Sequence, residues 1–425
     1  MGFIKNFDAL STTPDRNVVL QLVEAAFAAI QPEKVLAEKF KRDGNMLHIG
    51  DQQFDLQNFD RVFMIAFGKG SAGIAKIVEA SLADKITDGY VIDNVEQQFL
   101  KLHFTLGTHP LPSEQNVSFT ENVLKNIANL TERDLVIVVI CGGGSAMFEA
   151  PAAIDLPMLT TVFNALLRSG ATISEMNVIR KHLSKVKGGG LAKHLYPATI
   201  ASMIFSDVPG SVLSVIASGP TVKETASQQD AIAVMQKYNL SASVILPQNA
   251  LVELPQEEKY FQHVSNILIV SNQTALLAMN EKAKSLGLSP RIFSDKFQGD
   301  AKLAGGGLVK ECKNGEVLLV GGETTVHVTG RGKGGRNQSL VVASLPFLHD
   351  GTVIVSFDSD GQDYYYFAGA IGDEHTQIKS IALGLDPKSF LDDDNSYEFL
   401  SKVGDGIFTD KLESNVSDLM IVYKP

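Results

Sequence analysis

Tryptophan is absent from this chain of 425 residues, and cysteine occurs only twice, as Cys141 and Cys312. Two distant thiols make no disulfide framework, which favours a reducing compartment such as the cytoplasm. The longest strongly apolar run, 135–141, is too short to span a bilayer, and the first residues lack a basic segment followed by an apolar core. We therefore expect a soluble cytoplasmic protein with no membrane partner.

Basic charge is also scarce, because 37 Lys and Arg face 48 Asp and Glu, for a formal net charge of −11. An acidic chain without a basic stripe is a poor candidate for nucleic-acid binding. The HExxH, paired CxxC, G-x-S-x-G and Walker A patterns are missing too. Zinc hydrolysis, serine-esterase chemistry and a P-loop therefore have no support.

The sequence does contain an alternation of apolar runs and segments of helical period, which predicts an α/β protein with a parallel sheet covered on both faces. The predicted strands are 61–67, 89–93, 135–140, 199–205, 266–270, 290–293, 316–320, 352–357 and 419–423. The predicted helices are 17–30, 71–82, 114–130, 156–168, 274–286 and 300–311. The polar, Gln-rich stretch 225–261 is the predicted connection between two domains.

A glycine turn follows the first strong strand, where 68–73 matches G-x-G-x-x-G and Asp93 lies about 20 residues further on. This spacing fits a dinucleotide site, and it fits a purely structural strand-to-helix turn as well. Lys69 inside the turn suits a phosphate or carboxylate better than a dinucleotide. The candidate binding residues of this turn are Gly68, Lys69, Gly70 and Ser71.

Two more glycine-rich segments follow predicted strands, and a third follows a basic run. In 141–146 three successive glycines let backbone amides approach a ligand, and 330–338 forms a flexible cationic loop suited to polyphosphate. In 177–190 basic residues end on three glycines, a pattern that fits carboxylate or phosphate binding. Structural turns and solvated helix faces are the alternatives. The candidates here are Gly143, Gly144, Ser145, Arg180, Lys187 and Arg336.

Acidic residues occur at the ends of other predicted strands. Asp207 follows the strand 199–205 and is placed to hold a metal or accept a proton, or to cap a helix. Glu323 and Thr324 follow the strand 316–320. Asp360 and Asp363 belong to an Asp-Gly-x-Asp element, which suits Mg²⁺ coordination or a simple turn.

Taken together, the segments resemble the class II glycerate kinases, the family with a C-terminal MOFRL domain. The matching pieces include AFGKGSAGIA (66–75), CGGGSA (141–146), SDVPG (206–210) and GGETTVHVTGRGKGGRNQ (321–338). The resemblance implies a Rossmann-like domain over 1–245, a smaller α/β MOFRL-type domain over 246–425, and an active site in the cleft between them. It also implies a kinase that phosphorylates the 2-hydroxyl of D-glycerate with Mg²⁺ and ATP.

The same resemblance implies roles for single residues. Lys69, Asp207 and Arg336 are the expected catalytic residues, and Asn337 joins the residues that bind substrate or nucleotide. The expected metal ligands are Asp207, Glu323, Asp360 and Asp363. Where relatives continue Asp-Gly-x-Asp with small and polar residues, this chain has the aromatic run 364–367.

Three alternatives to a D-glycerate kinase stay open on the sequence alone. A kinase for a related hydroxy acid fits the altered aromatic run. An NAD(P)-dependent hydroxypyruvate reductase relies on the first glycine turn and Asp93. A non-catalytic ligand-binding relative fits the departures from the pattern of relatives at 364–367 and at 410–416, where this chain reads DKLESNV. A homodimer is compatible with the sequence, which does not fix the oligomeric state.

Overall fold

The computed structural model describes residues 2–240, 244–247 and 249–425, and these fall into two compact units. The parallel-sheet unit comprises Leu36–Ser206 and Ser211–Ile269. The mixed-sheet unit comprises the segment up to Val35, Asp207–Gly210 and Val270–Pro425. Segments from both ends of the chain therefore pack in one unit. The division at 245/246 follows chain order alone and stays a prediction.

The helices begin with capping signals that the sequence carries, such as Thr13 before Pro14 and Ser113 before Glu114. The helices are α1 (Phe7–Leu10), α2 (Pro14–Ile30), α3 (Pro32–Lys39), α4 (Ser71–Leu82), α5 (Glu114–Asn126), α6 (Gly144–Met147), α7 (Leu156–Ser169), α8 (Ile173–His182), α9 (Gly190–Leu195), α10 (Gln228–Lys237), α11 (Asn272–Ser285), α12 (Ala301–Glu311), α13 (Arg336–Ser344), α14 (Glu374–Ala382), α15 (Pro387–Asp392) and α16 (Ser396–Val403). Within the described ranges, no helix has the length and apolar character needed to cross a membrane.

The strands coincide largely with the apolar runs. They are β1 (Phe40–Asp43), β2 (Met46–Ile49), β3 (Gln52–Asp55), β4 (Arg61–Phe67), β5 (Ile86–Asp93), β6 (His103–Leu106), β7 (Asp134–Ile140), β8 (Thr199–Phe205), β9 (Val264–Val270), β10 (Ser289–Asp300), β11 (Glu316–Thr325), β12 (Val353–Asp358), β13 (Gly369–Gly372), β14 (Gly406–Ile407) and β15 (Asp418–Lys424).

The main sheet of the parallel-sheet unit has the strand order β6-β5-β4-β7-β8-β9. The pairs from β6 to β8 are all parallel, and every residue of β7 is buried. Because β4 lies in the middle and the chain runs outward from it in both directions, the strand order reverses between β4 and β7. Ligands of open α/β sheets bind at such a reversal, beyond the carboxyl ends of the strands. A small antiparallel sheet, β1-β2-β3, completes the unit.

The mixed-sheet unit has the order β10-β11-β15-β12-β13-β14. Its β10 and β11 are parallel, and the other neighbours are antiparallel. The predicted α/β class with a mostly parallel first sheet is confirmed. The C-terminal strand, predicted as a closing strand, lies inside this sheet between β11 and β12.

Three sequence predictions need correction. The segment 321–325 was predicted to follow a strand, but it lies inside β11. Gly322 allows this because it has no side chain: a Cβ there would lie 2.0 Å from the Phe297 carbonyl oxygen of the neighbouring strand β10. The helix predicted to reach Leu130 ends at Asn126. The stretch 225–261 is not only a connection, since it contains α10, which packs on α8.

Candidate functional site

Two glycine turns meet where β4 and β7 diverge. The Lys69 amide donates to the Gly142 carbonyl at 2.8 Å, and the Cys141 amide donates to the Phe67 carbonyl at 3.0 Å. Gly68 has φ +104°, and a Cβ there would lie 2.5 Å from the Cys141 oxygen. Glycine is therefore required for the close approach of the two turns. The structure thus brings together the predicted loops at 68–71 and 141–146.

A buried carboxylate accepts a backbone amide at the start of α4, the helix that follows the first glycine turn. Asp93 is fully buried, and its Oδ2 accepts the Ala72 amide of α4 at 2.9 Å. Its Oδ1 accepts the Asn94 amide at 2.6 Å, although burial raises the pKa of Asp93 above its usual value. The Ser71 hydroxyl donates to the Ile92 carbonyl at 3.1 Å. The helix N-terminus that would hold a dinucleotide pyrophosphate is therefore already occupied by Asp93.

His109 is a site residue that the sequence prediction missed. A Cβ on Gly143 would lie 2.8 Å from His109 Cδ2 and 3.5 Å from Lys69 Cγ, so both side chains flank this glycine. Burial lowers the pKa of His109, and the Lys69 charge lowers it further, which favours a neutral imidazole at pH 7. Asn116 supports this corner by donating to the Thr108 carbonyl at 2.9 Å. The sequence carried one signal, since His109 lies in LGTHPLPSEQN (106–116), a segment that also resembles the glycerate kinase family.

Lys69 has a half-buried side chain. No residue that the structure describes accepts a hydrogen bond from its ammonium or forms an ion pair with it. By contrast, the Ser145 hydroxyl is 2.9 Å from that of Ser218. Gly144 faces Phe67, whose ring carbon would lie 3.0 Å from an added Cβ. Lys69 is therefore a cation of the parallel-sheet unit that is available for an anionic ligand, and buried Arg180 Nε is a second cationic atom without a hydrogen-bond partner among the described residues.

Arg180 and Lys187, also predicted to bind ligand, are held inside the parallel-sheet unit. Lys187 is almost fully buried, and its ammonium binds Glu149 Oε2 at 2.5 Å. The Arg180 guanidinium lies 4.7 Å from the centre of the Phe163 ring. Burial lowers the pKa of both cations. Their ligand-binding roles stay predictions, and the observed contacts of Lys187 are those of a structural ion pair.

Arg336 is the centre of a second cluster, within the mixed-sheet unit. Its Nε donates to Asp418 Oδ2 at 2.7 Å, and its Nη1 donates to Glu323 Oε1 at 2.7 Å. Its Nη2 lies 3.3 Å from Asp358 Oδ2. Burial works against the charge of Arg336, but Asp418 and the other acids raise the pKa of its guanidinium overall. The predicted residues Arg336 and Glu323 are therefore in direct contact.

Asp358 and Asp418 were missed by the sequence prediction. They are opposite each other in the pairing of β12 with β15. Burial raises the pKa of Asp358 well above its usual value, and the charge of Asp418 adds to this. Burial likewise raises the pKa of Asp418 to about 7, although Arg336 opposes the shift. In the sequence, each of them is an aspartate at one end of a predicted strand. This feature is too common to identify these two as site residues.

The predicted metal ligands Asp360 and Asp363 have different surroundings. Asp363 is buried, and its Oδ1 and Oδ2 accept the amides of Asn337 at 3.3 Å and Gln338 at 2.9 Å. It therefore caps the first turn of α13, the helix that begins with Arg336. Asp360 accepts the Gln362 amide at 2.9 Å and shapes a turn. Both metal roles stay predictions.

The remaining predicted residues are placed as follows. Asn337 is buried and donates to Asp418 Oδ1 at 2.8 Å. Thr324 is buried within β11. Asp207 is half-buried and belongs to the mixed-sheet unit. Among the described residues, no group of three or more His, Cys, Asp or Glu is arranged to hold a metal ion.

The cationic loop 330–335 is tightly packed, contrary to the predicted flexible loop. The Gly332 amide donates to the Asp393 carbonyl at 2.8 Å, and a Cβ on Gly330 would lie 2.2 Å from the same carbonyl. The Gly330 amide binds Asp394 Oδ2 at 2.7 Å. The glycines therefore serve close backbone approach to the segment before α16, and this contact holds the loop beside Arg336.

A cavity of about 390 Å³ opens beside Arg336. This volume is within the usual range for small-molecule sites. Its lining combines charged residues with apolar and aromatic ones: Val326, Val328, Gly332, Gly334, Gly335, Arg336, Ser339, Asp358, Asp363, Tyr364 and Asp394. The lining of the cavity thus combines one arginine and three aspartates with apolar and aromatic side chains.

Comparison with known proteins gives matches along almost the whole chain. A domain of unknown function, DUF4147, matches residues 18–252, and the MOFRL family matches residues 316–418. A D-glycerate 2-kinase from Thermotoga maritima is 32% identical over 96% of this chain and 97% of its own. A glycerate 2-kinase from Pyrococcus horikoshii is 34% identical over 96% of each chain. The solved structure of a glycerate kinase from Thermotoga maritima is 30% identical, with a TM-score of 0.83 over 96% of this chain and 99% of that one.

Proposed function

We propose, since the chain belongs to the class II glycerate kinase family with its MOFRL domain, that it is a glycerate 2-kinase. In this reaction the 2-hydroxyl oxygen of D-glycerate forms a bond to the γ-phosphorus of ATP, and the bond from that phosphorus to the β,γ-bridging oxygen breaks. The products are ADP and 2-phosphoglycerate, and the hydroxyl proton passes to a base. The carrying observation is the ammonium of Lys69 between two glycine turns, which has no partner among the described residues.

Lys69 and Arg336 have the charge that phosphoryl transfer requires. The transferred group carries its negative charge on peripheral oxygens, and fixed cations stabilise that charge without reorganisation. Arg336 presents a planar guanidinium whose side chain is 28% exposed and already oriented by Asp418 and Glu323. Asp207, at the turn after β8, is the proposed base for the hydroxyl proton. Glu323 and Asn337 are proposed to shape the acceptor site.

Magnesium is part of this proposal. Glu323 and Asp360 each have a carboxylate oxygen that accepts no hydrogen bond from a described residue, and oxygen donors of this kind fit Mg²⁺. The two oxygens of Asp363 are already used by α13, so that residue fits a positioning role better. Bound Mg²⁺ would neutralise charge on the β- and γ-phosphate oxygens.

The reductase alternative is not favoured by the geometry. It relied on Asp93, whose Oδ2 accepts the Ala72 amide at the N-terminus of α4, where a dinucleotide phosphate would need those amides free. Cytoplasmic location and a homodimer stay predictions; light scattering on the purified protein tests the second.

The test is a coupled assay of ADP release with D-glycerate, tartronate, erythronate and hydroxypyruvate, with and without Mg²⁺. We expect D-glycerate to give the highest kcat/KM and 2-phosphoglycerate as the phosphorus-NMR product. Lys69→Ala should lower kcat/KM by about two to three orders of magnitude. Lys76→Ala is the matched control, because Lys76 is an exposed lysine of the adjacent helix α4 whose ammonium donates to Gln97 Oε1 at 3.1 Å. Oxidation of NADH with hydroxypyruvate and no ADP would contradict the proposal.

A further inference from the structure

We propose that Tyr364, Val326 and Val328 form the surface on which the purine base of ATP stacks. The inference rests on the proposed kinase function and adds a base-binding site to it. All three side chains line the cavity that also contains Arg336. They supply the large apolar and aromatic groups of a lining that also contains charged residues.

The exposure of these side chains is the first observation. Tyr364 is 77% exposed and Val328 is 70% exposed, although both line a concave site. A cluster of large apolar groups at the mouth of a cavity is typical of ligand-binding sites, because such groups gain by burial only when a ligand covers them.

The backbone of Tyr364 is the second observation. Its φ is +67°, in the left-handed region that bulky side chains rarely adopt. The turn around it is held by the Asp363 amide, which donates to the Phe367 carbonyl at 2.7 Å. The Asp363 carboxylate caps α13, the helix that begins with Arg336. Tyr364 directly follows Asp363 in the chain, so Asp363 connects the positions of Tyr364 and Arg336. Strain of this kind is maintained where the surrounding contacts require one side-chain direction.

The neighbouring tyrosines show that Tyr364 differs from the rest of the aromatic run. The Tyr365 hydroxyl accepts a hydrogen bond from the Lys333 ammonium at 2.8 Å, and its ring lies 4.8 Å from that of Tyr397. Tyr366 packs edge-on against Tyr365, with centroids 4.9 Å apart. Tyr365 and Tyr366 therefore contact each other, and Tyr365 also contacts Lys333 and Tyr397, whereas Tyr364 lines the cavity.

The chemistry of the two substrates decides which one this surface fits. Every carbon of glycerate carries oxygen, so the acceptor has no flat apolar face to stack on a tyrosine. A purine has such a face, and base–aromatic stacking contributes to binding regardless of the base edge. ATP also carries an anionic chain that Arg336 of the same lining attracts, so one nucleotide matches both the apolar residues and the arginine.

Steady-state kinetics give the first test. Tyr364→Ala should raise the KM for ATP about 10-fold, with the KM for D-glycerate changed less than about twofold. Inhibition by inorganic tripolyphosphate, which has no base, should be unchanged in the variant. Tyr364→Phe should behave as wild type, and Tyr366→Ala is the matched control within the same loop. An unchanged KM for ATP, or an equal loss of tripolyphosphate binding, overturns the inference.

A second measurement needs no turnover. The chain has no tryptophan, so Tyr364→Trp gives a protein with one fluorophore of this kind. Its fluorescence should change on addition of ADP and stay constant with tripolyphosphate, whereas Tyr366→Trp should respond to neither. A Tyr364→Trp signal that ignores ADP in an active kinase overturns the base site alone. Absence of ADP formation from D-glycerate in wild type overturns the proposed function instead.

Discussion

Two arginines of the mixed-sheet unit are each surrounded by carboxylates, and the two clusters differ in charge balance. In the Arg16 cluster, Arg16 and Lys379 bind Asp373 and Asp405, so cations and anions are equal in number. In the Arg336 cluster, one arginine contacts three acids: Glu323, Asp358 and Asp418. Arg16 is completely buried, whereas the side chain of Arg336 is 28% exposed.

The pKa values follow this difference. Burial alone would raise the pKa of Asp373, but the hydrogen bond from Arg16 outweighs it and holds the pKa below its usual value. In the other cluster burial raises the pKa values of Asp358 and Asp418, and a single arginine does not offset the repulsion. A balanced cluster is therefore a structural clamp, and a buried excess of acid beside an accessible cation is the arrangement expected of a functional site.

The largest expected effect is a loss of activity when the arginine of the Arg336 cluster is replaced. Arg336→Lys keeps a cation among the acids but loses the planar fork that holds Asp418 and Glu323 together. We expect kcat to fall by about three orders of magnitude, as for loss of a preorganised charge at a transferring group. The midpoint of thermal unfolding should change little.

The same substitution at Arg16 is the matched comparison and should have the opposite outcome. Arg16 binds Asp373, Asp405 and the Thr376 hydroxyl, and a lysine cannot make these contacts together. We expect Arg16→Lys to lower the free energy of unfolding by about 3 kcal/mol in urea titrations. The activity of the remaining folded protein should be close to wild type. Equal effects of both variants on activity would show that the two clusters do not differ in role.

A smaller effect, in the pH dependence of stability, sharpens the comparison. Because the pKa of Asp418 is raised to about 7 when folded, its contribution to stability is full below the unfolded pKa and is lost as pH rises towards 7. The pKa of Asp373 is lowered, so its contribution is present above the unfolded pKa and is lost as pH falls.

Urea unfolding at several pH values between 3 and 8 measures both signs. In Asp418→Asn, the free energy of unfolding should no longer fall as pH rises from about 4 to 7. In Asp373→Asn, the free energy of unfolding at neutral pH should approach its value at acid pH. The same sign of change in both variants would refute the distinction between a clamp and an acid-rich site.

The parts of the fold that could be predicted were those encoded locally. The strands β4, β7 and β8 are continuous apolar runs, and the glycines after β4 and β7 mark turns that both lie at the reversal of strand order. Cations beside glycines were selected as ligand-binding candidates, which gave Lys69 and Arg336, but the same signal also selected Lys187, whose ammonium forms a buried ion pair with Glu149. Arg16 could not be selected, because a charged residue in the first turn of a helix is normally exposed.

The α/β class, the glycine turns and the family follow from local features, since they depend on hydrophobic period and on residue types at fixed spacing. Which charges meet depends on how distant strands pair. Asp358 faces Asp418 only because β15 inserts between β11 and β12 in antiparallel register. Asp93 became a helix cap because β5 lies beside β4. Long-range strand pairing sets these contacts, and no local pattern records which strands will be neighbours.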